Sequence, residues 1–295
     1  MQSSIEEFLV YMENVRKVSQ NTKQSYRRDL VKMINFMEKH GIENVTDITA
    51  TNINAYILNL EKDGMSPATI SRNIASMKAY FHYLLVNKQI DYEPIEFVKA
   101  PPVEKKAPHI LSVEEVDRLL SQLSGNSPKA VRDKAMIELL YATGMRVSEM
   151  ILLKVSDVNL DMEYVSCDGK GKKNRIVPFG RAAKDALTIY INDYRDNMVK
   201  GKDNDLLFVN CQGNPMSRQG FWKIIKGYGI KADIKTDITP HSIRHSFAAH
   251  MVANGADLKS VQELMGLSDI SSTKVYADMS KKRLRSVYES THPRN

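Results

Sequence analysis

Residues 239–276 read TPHSIRHSFAAHMVANGADLKSVQELMGLSDISSTKVY, and the fold of the C-terminal half is decided by how this stretch opens and closes. Thr239 has the side chain of a helix cap, Pro240 suits a first turn, and Gly255 supplies a stop. The spacing predicts a helix on which His241 and Arg244, three residues apart, project from one face near the N-terminal end. Backbone N–H groups there already favour an anion, so the pair reads as a phosphate site. A short helix and a turn later comes Tyr276. Its hydroxyl becomes a nucleophile only when one group takes its proton and another stabilises charge on its target. His241 and His245 also have the i, i+4 spacing of zinc-binding helices. Ser242, however, stands where a metalloprotease carries Glu, and with no third ligand in sight no metal is expected.

Working upstream, Ser217 caps a helix carrying Phe221, Trp222 and Ile225, which reads as packing. Leu206–Val209 reads as a short strand, and 181–196 as an amphipathic helix with Ala186, Leu187, Tyr190 and Ile191 inward. Residues 163–167 and 175–179 form a predicted hairpin around the turn DGKGKKN. Lys170, Lys172 and Lys173 stud that turn and Arg175 follows it, and a mobile basic turn of this kind can enter a DNA groove. The run GKGKK lacks the spacing of a nucleotide-binding P-loop, so ATP is not expected. Before the hairpin, Ser127-Pro128 starts a helix that ends at Thr143-Gly144, and Arg146 opens a new short helix, RVSEMILLKV. Met145, Val147 and Met150 place Arg146 beside a core, where a guanidinium needs a partner: Glu149 or Asp157.

The stretch KAPPVEKKAPH, residues 99–109, combines three prolines with charge and reads as a linker, after which Ser112 and Glu115 form a capping box. This divides the chain into residues 1–98, a linker at 99–109, and residues 110–295. Residues 1–98 show helical periodicity throughout. Ser66 and Pro67 start the clearest helix, with Ile70, Ile74, Met77, Phe81 and Leu84 as its buried stripe. Its other face carries Thr69, Arg72, Asn73, Ser76 and Lys78, and no acid occurs between Met65 and Ile90. With Lys23, Arg27 and Arg28 this forms a candidate surface for a phosphate backbone. Residues 1–106 hold 14 Lys+Arg against 13 Asp+Glu, so attraction to DNA rests on placement of charge rather than its sum.

The chain of 295 residues has 42% hydrophobic content, a net charge of +7 and a pI near 9.1. The balance points to an acidic partner, and nucleic acid fits better than membrane because no apolar run approaches a spanning length. The N-terminus does not resemble a signal peptide, and two cysteines, Cys167 and Cys211, suit a reducing cytoplasm.

Taken in order, ATGMRVSEM, GKGKKNR, TPHSIRHSFAAHM and LMGLSDISSTKVY resemble the motifs of the tyrosine recombinase (phage integrase) family, in particular its bacterial Xer-type members. The resemblance implies a mainly α fold with a small antiparallel β-sheet in the C-terminal domain, arranged as a two-domain DNA clamp. It implies a helical core-binding domain followed by a catalytic domain with a C-terminal exchange helix. It implies site-specific cutting and rejoining of DNA through a 3′-phosphotyrosyl intermediate on Tyr276, with no metal, ATP or other cofactor. Arg146 and Arg244 would clamp the phosphate, His241 would take the tyrosine proton, and Lys170, or Lys172 in a shifted register, would protonate the leaving 5′-oxygen. Glu149 matches a supporting acidic position. The partners implied are double-stranded DNA with inverted-repeat core sites and other protomers, as a tetramer on two sites or a pair with a homologous recombinase. One position departs from the pattern. Leu267 stands where the family has His or Trp, and loss of one such donor costs a few kcal/mol of transition-state stabilisation. Against the recombinase stand a DNA-binding protein of faded catalysis and a type IB topoisomerase.

Overall fold

The computed structural model describes residues 1–103, 109–169 and 172–267, with backbone alone at 168–169 and 172–174. The chain divides into two compact units, Met1–Lys106 and Ala107–Asn295. The fold is mainly helical, with one small antiparallel sheet in the second unit.

The first unit is built on four helices, α1 (Gln2–Asn14), α2 (Gln20–Lys39), α3 (Ala50–Lys62) and α4 (Pro67–Val86). Local chemistry sets their starts. Ser19, Thr49 and Ser66 each accept a hydrogen bond from a backbone N–H of the first turn, and Pro67 needs no donor where it stands. The stripe Ile70, Ile74, Met77, Phe81 and Leu84 faces inward and meets Phe8 and Leu9 of α1, Leu30 and Met33 of α2, and Ile53 and Leu60 of α3. Each such side chain contributes about 1.5–3 kcal/mol by leaving water.

In the second unit the capping box of Ser112 and Glu115 starts α5 (Val113–Ser121), and Ser127 caps α6 (Pro128–Thr143). The short α7 (Val147–Met150) covers only the first turn of the expected 146–155 helix. The chain then makes a 3₁₀ turn at Val155–Asp157 and enters a sheet of order β1 (Val158–Asn159), β2 (Tyr164–Gly169) and β3 (Lys172–Pro178). Val165 pairs with Val177 and Cys167 with Arg175, all antiparallel. The alternation is plain on β3, where Val177 is buried and Ile176 is 65% exposed. The expected 181–196 helix is broken into α8 (Arg181–Ile189), a π turn at Tyr190–Tyr194, and α9 (Arg195–Val199). The π turn leaves Tyr190 stacked on Phe208, and the Tyr190 hydroxyl donates to the Leu207 carbonyl at 3.1 Å. Residues 206–209 form isolated bridges, Leu206 to Lys154 and Val209 to Pro215, instead of a strand.

Ser217 caps α10 (Arg218–Lys231), and Thr239 with Ser242 makes a capping box for α11 (Pro240–Ala253), which is followed by α12 (Leu258–Met265). Helix α11 packs against α6 and α12. Trp222, expected in the core or at an interface, lies 38% exposed on α10 with the Lys226 ammonium 5.3 Å from its ring centroid. The crossing of α6 and α11 depends on Gly144, which ends α6 in the left-handed region at φ 56°. A Cβ there would stand 2.2 Å from Phe247 Cδ1. Gly144→Ala therefore combines backbone strain with a collision in a packed core, and a loss of about 2–4 kcal/mol is expected. A urea melt checks it; a midpoint equal to the parent's would show that α11 can shift to make room.

Candidate active site

The end of α6 and the start of α7 set the first guanidinium. Arg146 is the N-cap of α7, and its backbone N–H donates to Glu149 Oε2 at 2.8 Å while its Nη1 donates to Oε1 at 2.9 Å. Of the two partners open to Arg146, the structure therefore selects Glu149. Asp157 instead accepts from the Lys154 backbone N–H at 2.8 Å.

The second guanidinium comes from α11. Arg244 is buried, donating from Nη1 to the Gly144 carbonyl and from Nη2 to the Met265 carbonyl at 2.7 Å. Burial of a permanent charge is tolerable here because fixed carbonyl dipoles answer it. His241 stands exposed in the first turn of α11, one turn before Arg244.

A third guanidinium, from Arg175 on β3, joins them. Its Nη1 and Nη2 donate to Glu149 Oε1 and Oε2 at 3.1 and 2.7 Å, and its Nε donates to the Leu264 carbonyl at 3.2 Å. Arg146 Nη2 reaches the Gly266 carbonyl at 2.8 Å. Three successive carbonyls at the end of α12, those of Leu264, Met265 and Gly266, thus accept from Arg175, Arg244 and Arg146 in turn. The C-terminus of a helix, where carbonyls lack intrahelical donors and the dipole is negative, is the natural seat for such cations.

Burial alone would raise the Glu149 carboxyl. The hydrogen bonds from Arg175 and Arg146 and the charge on Arg175 outweigh it and bring it down to about 2. Glu149 is therefore an anion at neutral pH and holds two cations side by side. Arg146, whose side chain is 37% exposed, commits two of its five N–H groups among the described residues. The others are available to an oxyanion. Burial lowers the pKa of His245, with His241 and Arg244 adding to the effect. His250 bonds to the Tyr141 hydroxyl at 2.8 Å and to the Leu111 carbonyl at 3.0 Å, which makes it a structural residue. Leu267 packs on the apolar cluster of Phe247, Val252 and Met265 and offers only its backbone N–H, which is given to Gln262. Lys170 and Tyr276 lie outside the described residues, as do the side chains of Lys172 and Lys173.

The candidate DNA surface needs correction. Asn73 and Ser76 are buried: Asn73 Nδ2 donates to the Thr69 carbonyl at 2.9 Å, its Oδ1 accepts from Tyr56, and the Ser76 hydroxyl donates to the Asn73 carbonyl. Local hydrogen bonds let these polar residues sit on the inward face of α4. Arg175 is the second correction, since its side chain is only 17% exposed and its three nitrogens are engaged within the protein. Thr69 is half-buried and Arg72 is exposed, with Arg72 making two 2.9 Å bonds to the buried Asp29. Lys23 pairs with Glu13, Arg27 with Glu6, and Arg28 bonds to the Gln24 carbonyl and the Ser25 hydroxyl.

Residues 109–283 match the Phage integrase family, and residues 5–88 match the phage integrase N-terminal SAM-like domain. The chain is 47% identical to tyrosine recombinase XerD of Oceanobacillus iheyensis, covering 100% of this chain and 99% of that protein. It is 42% identical to tyrosine recombinase XerD of Staphylococcus aureus strain Mu50, covering 100% of each. Among solved structures, XerA recombinase is similar with a TM-score of 0.56 at 28% identity, over 99% of each chain. XerH bound to palindromic difH substrate in a post-cleavage complex has a TM-score of 0.75 at 21% identity, over 97% of this chain and 84% of that one, and speaks for the fold.

The Glu149 carboxyl falls from its ordinary 4.5 to about 2 on folding, so its contribution to stability is fully present above pH 4.5 and is lost as pH drops toward 2. Glu149→Gln should accordingly lose stability less steeply than the parent between those limits. Urea midpoints across that window check it, and parallel curves would remove the two arginines as the cause.

Proposed function

The chain belongs to the phage integrase family and is a tyrosine-type site-specific recombinase; from that premise we propose that Tyr276 attacks a phosphodiester of a double-stranded DNA core site. The tyrosine oxygen bonds to phosphorus, the bond from phosphorus to the 5′-oxygen breaks, and a 3′-phosphotyrosyl linkage and a 5′-hydroxyl result. His241 takes the tyrosine proton and Lys170 protonates the departing oxygen. Arg146 and Arg244 donate to the non-bridging oxygens, where charge accumulates in the transition state. A 5′-hydroxyl from a partner strand then attacks the phosphotyrosyl group, and the tyrosine leaves. One phosphoester replaces another at each step, so neither ATP nor a metal enters the balance.

The observation that carries this reading is the seating of Arg146 and Arg244 on adjacent carbonyls at the end of α12, with Glu149 behind Arg146. Two guanidiniums from elements far apart in the chain are brought to one place and fixed there by carbonyls, and fixed donors of this kind are what a charged transition state rewards.

Residues 1–98 would act as the core-binding domain, 99–109 as the linker, and 110–295 as the catalytic domain with an exchanging C-terminal helix. Lys23, Arg27, Arg28 and Arg72 are the cations of the first unit that DNA phosphates would recruit. The surface pairs of Lys23 with Glu13 and Arg27 with Glu6 compete weakly with phosphate, whereas the two bonds of Arg72 to the buried Asp29 hold that cation more firmly. Thr69, Lys172 and Lys173 complete the proposed contacts. Inverted-repeat half-sites taken one protomer each give a tetramer on two sites, of this chain alone or with a homologous recombinase. Among the described residues no helix is long and apolar enough to cross a membrane, and work on DNA would place the protein in the cytoplasm.

A nicked suicide duplex, made from sequences that the full chain selects from a random pool, should trap a covalent adduct that Tyr276→Phe abolishes. Tight binding with no adduct would overturn the reading in favour of a DNA-binding protein alone. In the same assay Leu267→His should raise the cleavage rate about 10- to 100-fold by restoring a donor. Equal rates would show that the position supplies nothing to the transition state.

A further inference from the structure

We propose that Arg175 is a positioning residue for strand cleavage: it holds Glu149, and through Glu149 it sets where the Arg146 guanidinium points. The proposal rests on the recombinase reading above and adds a residue to it.

The argument starts from the carboxylate. Glu149 Oε1 accepts from Arg146 Nη1 and Arg175 Nη1, and Oε2 accepts from the Arg146 backbone N–H and Arg175 Nη2. Four bonds occupy the acceptor capacity of a carboxylate, half of it taken by each arginine. Arg175 presents the fork, two parallel N–H···O bonds, which only a guanidinium can make. Its Nε is meanwhile fixed on the Leu264 carbonyl. Gly266 belongs to the same construction, because a Cβ on it would stand 2.7 Å from Arg175 Nη1. Glycine there permits both the left-handed turn at φ 61° and the approach of Arg175.

Removal of Arg175 leaves a largely covered carboxylate with half its bonds and one neighbouring cation. The Arg146 side chain would then be drawn into the carboxylate, and its remaining donors would turn away from the place where a phosphate must sit. Arg175 also lies on β3 opposite the buried Cys167, five residues after Lys170 in the chain. The same side chain therefore ties the hairpin strand, Glu149 and the end of α12 together. A DNA-contacting role is disfavoured by the engagement of all its nitrogens, whereas a positioning role requires it.

The test measures adduct formation on the nicked suicide duplex, with DNA affinity followed by gel shift. Arg175→Met should cleave about 10- to 100-fold more slowly, the range of outer-layer partners in other polar sites, with affinity changed less than about threefold. Arg175→Lys should recover part of the rate. If Arg175 acts through Glu149, the Arg175→Met, Glu149→Gln double variant will be no slower than the slower single variant. Should Arg175→Met fail to fold, Arg175→Lys with and without Glu149→Gln carries the same comparison. Gly266→Ala, which pushes on Arg175, should slow cleavage in the parent and have less effect in the Arg175→Lys background. Rates equal to the parent's in the Arg175 variants, or losses that multiply with Glu149→Gln, would overturn the proposal alone. A parent that forms no adduct would remove the recombinase reading and this proposal together.

Discussion

A guanidinium taken out of water must be answered by oxygen, and two such groups, from Arg175 and Arg244, are gathered at the end of one helix with a third, from Arg146, that is only partly covered. The end of α12 answers them with consecutive carbonyls, and Glu149 answers two of them with a full carboxylate. Much of the second unit serves this arrangement. Helix α6 ends in a glycine so that α11 can pass close by, α7 is a single turn that brings Glu149 back onto Arg146, and β3 runs beneath with Arg175. The site is one in which a stable anion and oriented dipoles hold cations that would otherwise repel one another.

That economy distinguishes holding a charge from using it. Arg244 is nearly buried and fixed by carbonyls from two elements, whereas Arg146 remains more than a third exposed. The buried member is fixed in place, and the exposed member turns part of its guanidinium to solvent. Leu267, immediately beyond Gly266, joins the apolar packing on α11 instead of adding a polar group. The packing fixes the last turn of α12, and with it the carbonyls on which the arginines rest.

Features that depend on near neighbours in the chain were legible in the sequence. The capping boxes at Ser112 and Thr239, the stop at Gly144 and the stripe along α4 follow from side chains a few residues apart. The pairing of Arg146 with Glu149 was legible too, because the two lie three residues apart. Partners distant in sequence were not legible. Nothing near Arg72 reveals Asp29, 43 residues away, and nothing near Arg175 reveals that Glu149 claims it. An arginine in a basic turn looks solvated until the opposite face of its strand is known. Asn73 and Ser76 show the converse, polar residues that face inward because α4 itself supplies their partners. The π turn after α8 likewise departs from a regular helical pattern to satisfy Tyr190, whose acceptor lies 17 residues on.

The ion pairs of the first unit carry a consequence of their own. Arg72, Arg27 and Lys23 already have counter-ions, and those counter-ions are Asp29, Glu6 and Glu13, tethered to the chain. A polyanion that recruits these cations displaces a carboxylate that cannot diffuse away, instead of a mobile ion that can. The mobile cations condensed on a nucleic acid, whose release makes binding steeply dependent on salt, would still be freed, but each phosphate contact would first have to break an ion pair within the chain. For such a ligand the tethered carboxylates would be built-in competitors, weakened by salt together with the phosphate contacts they oppose.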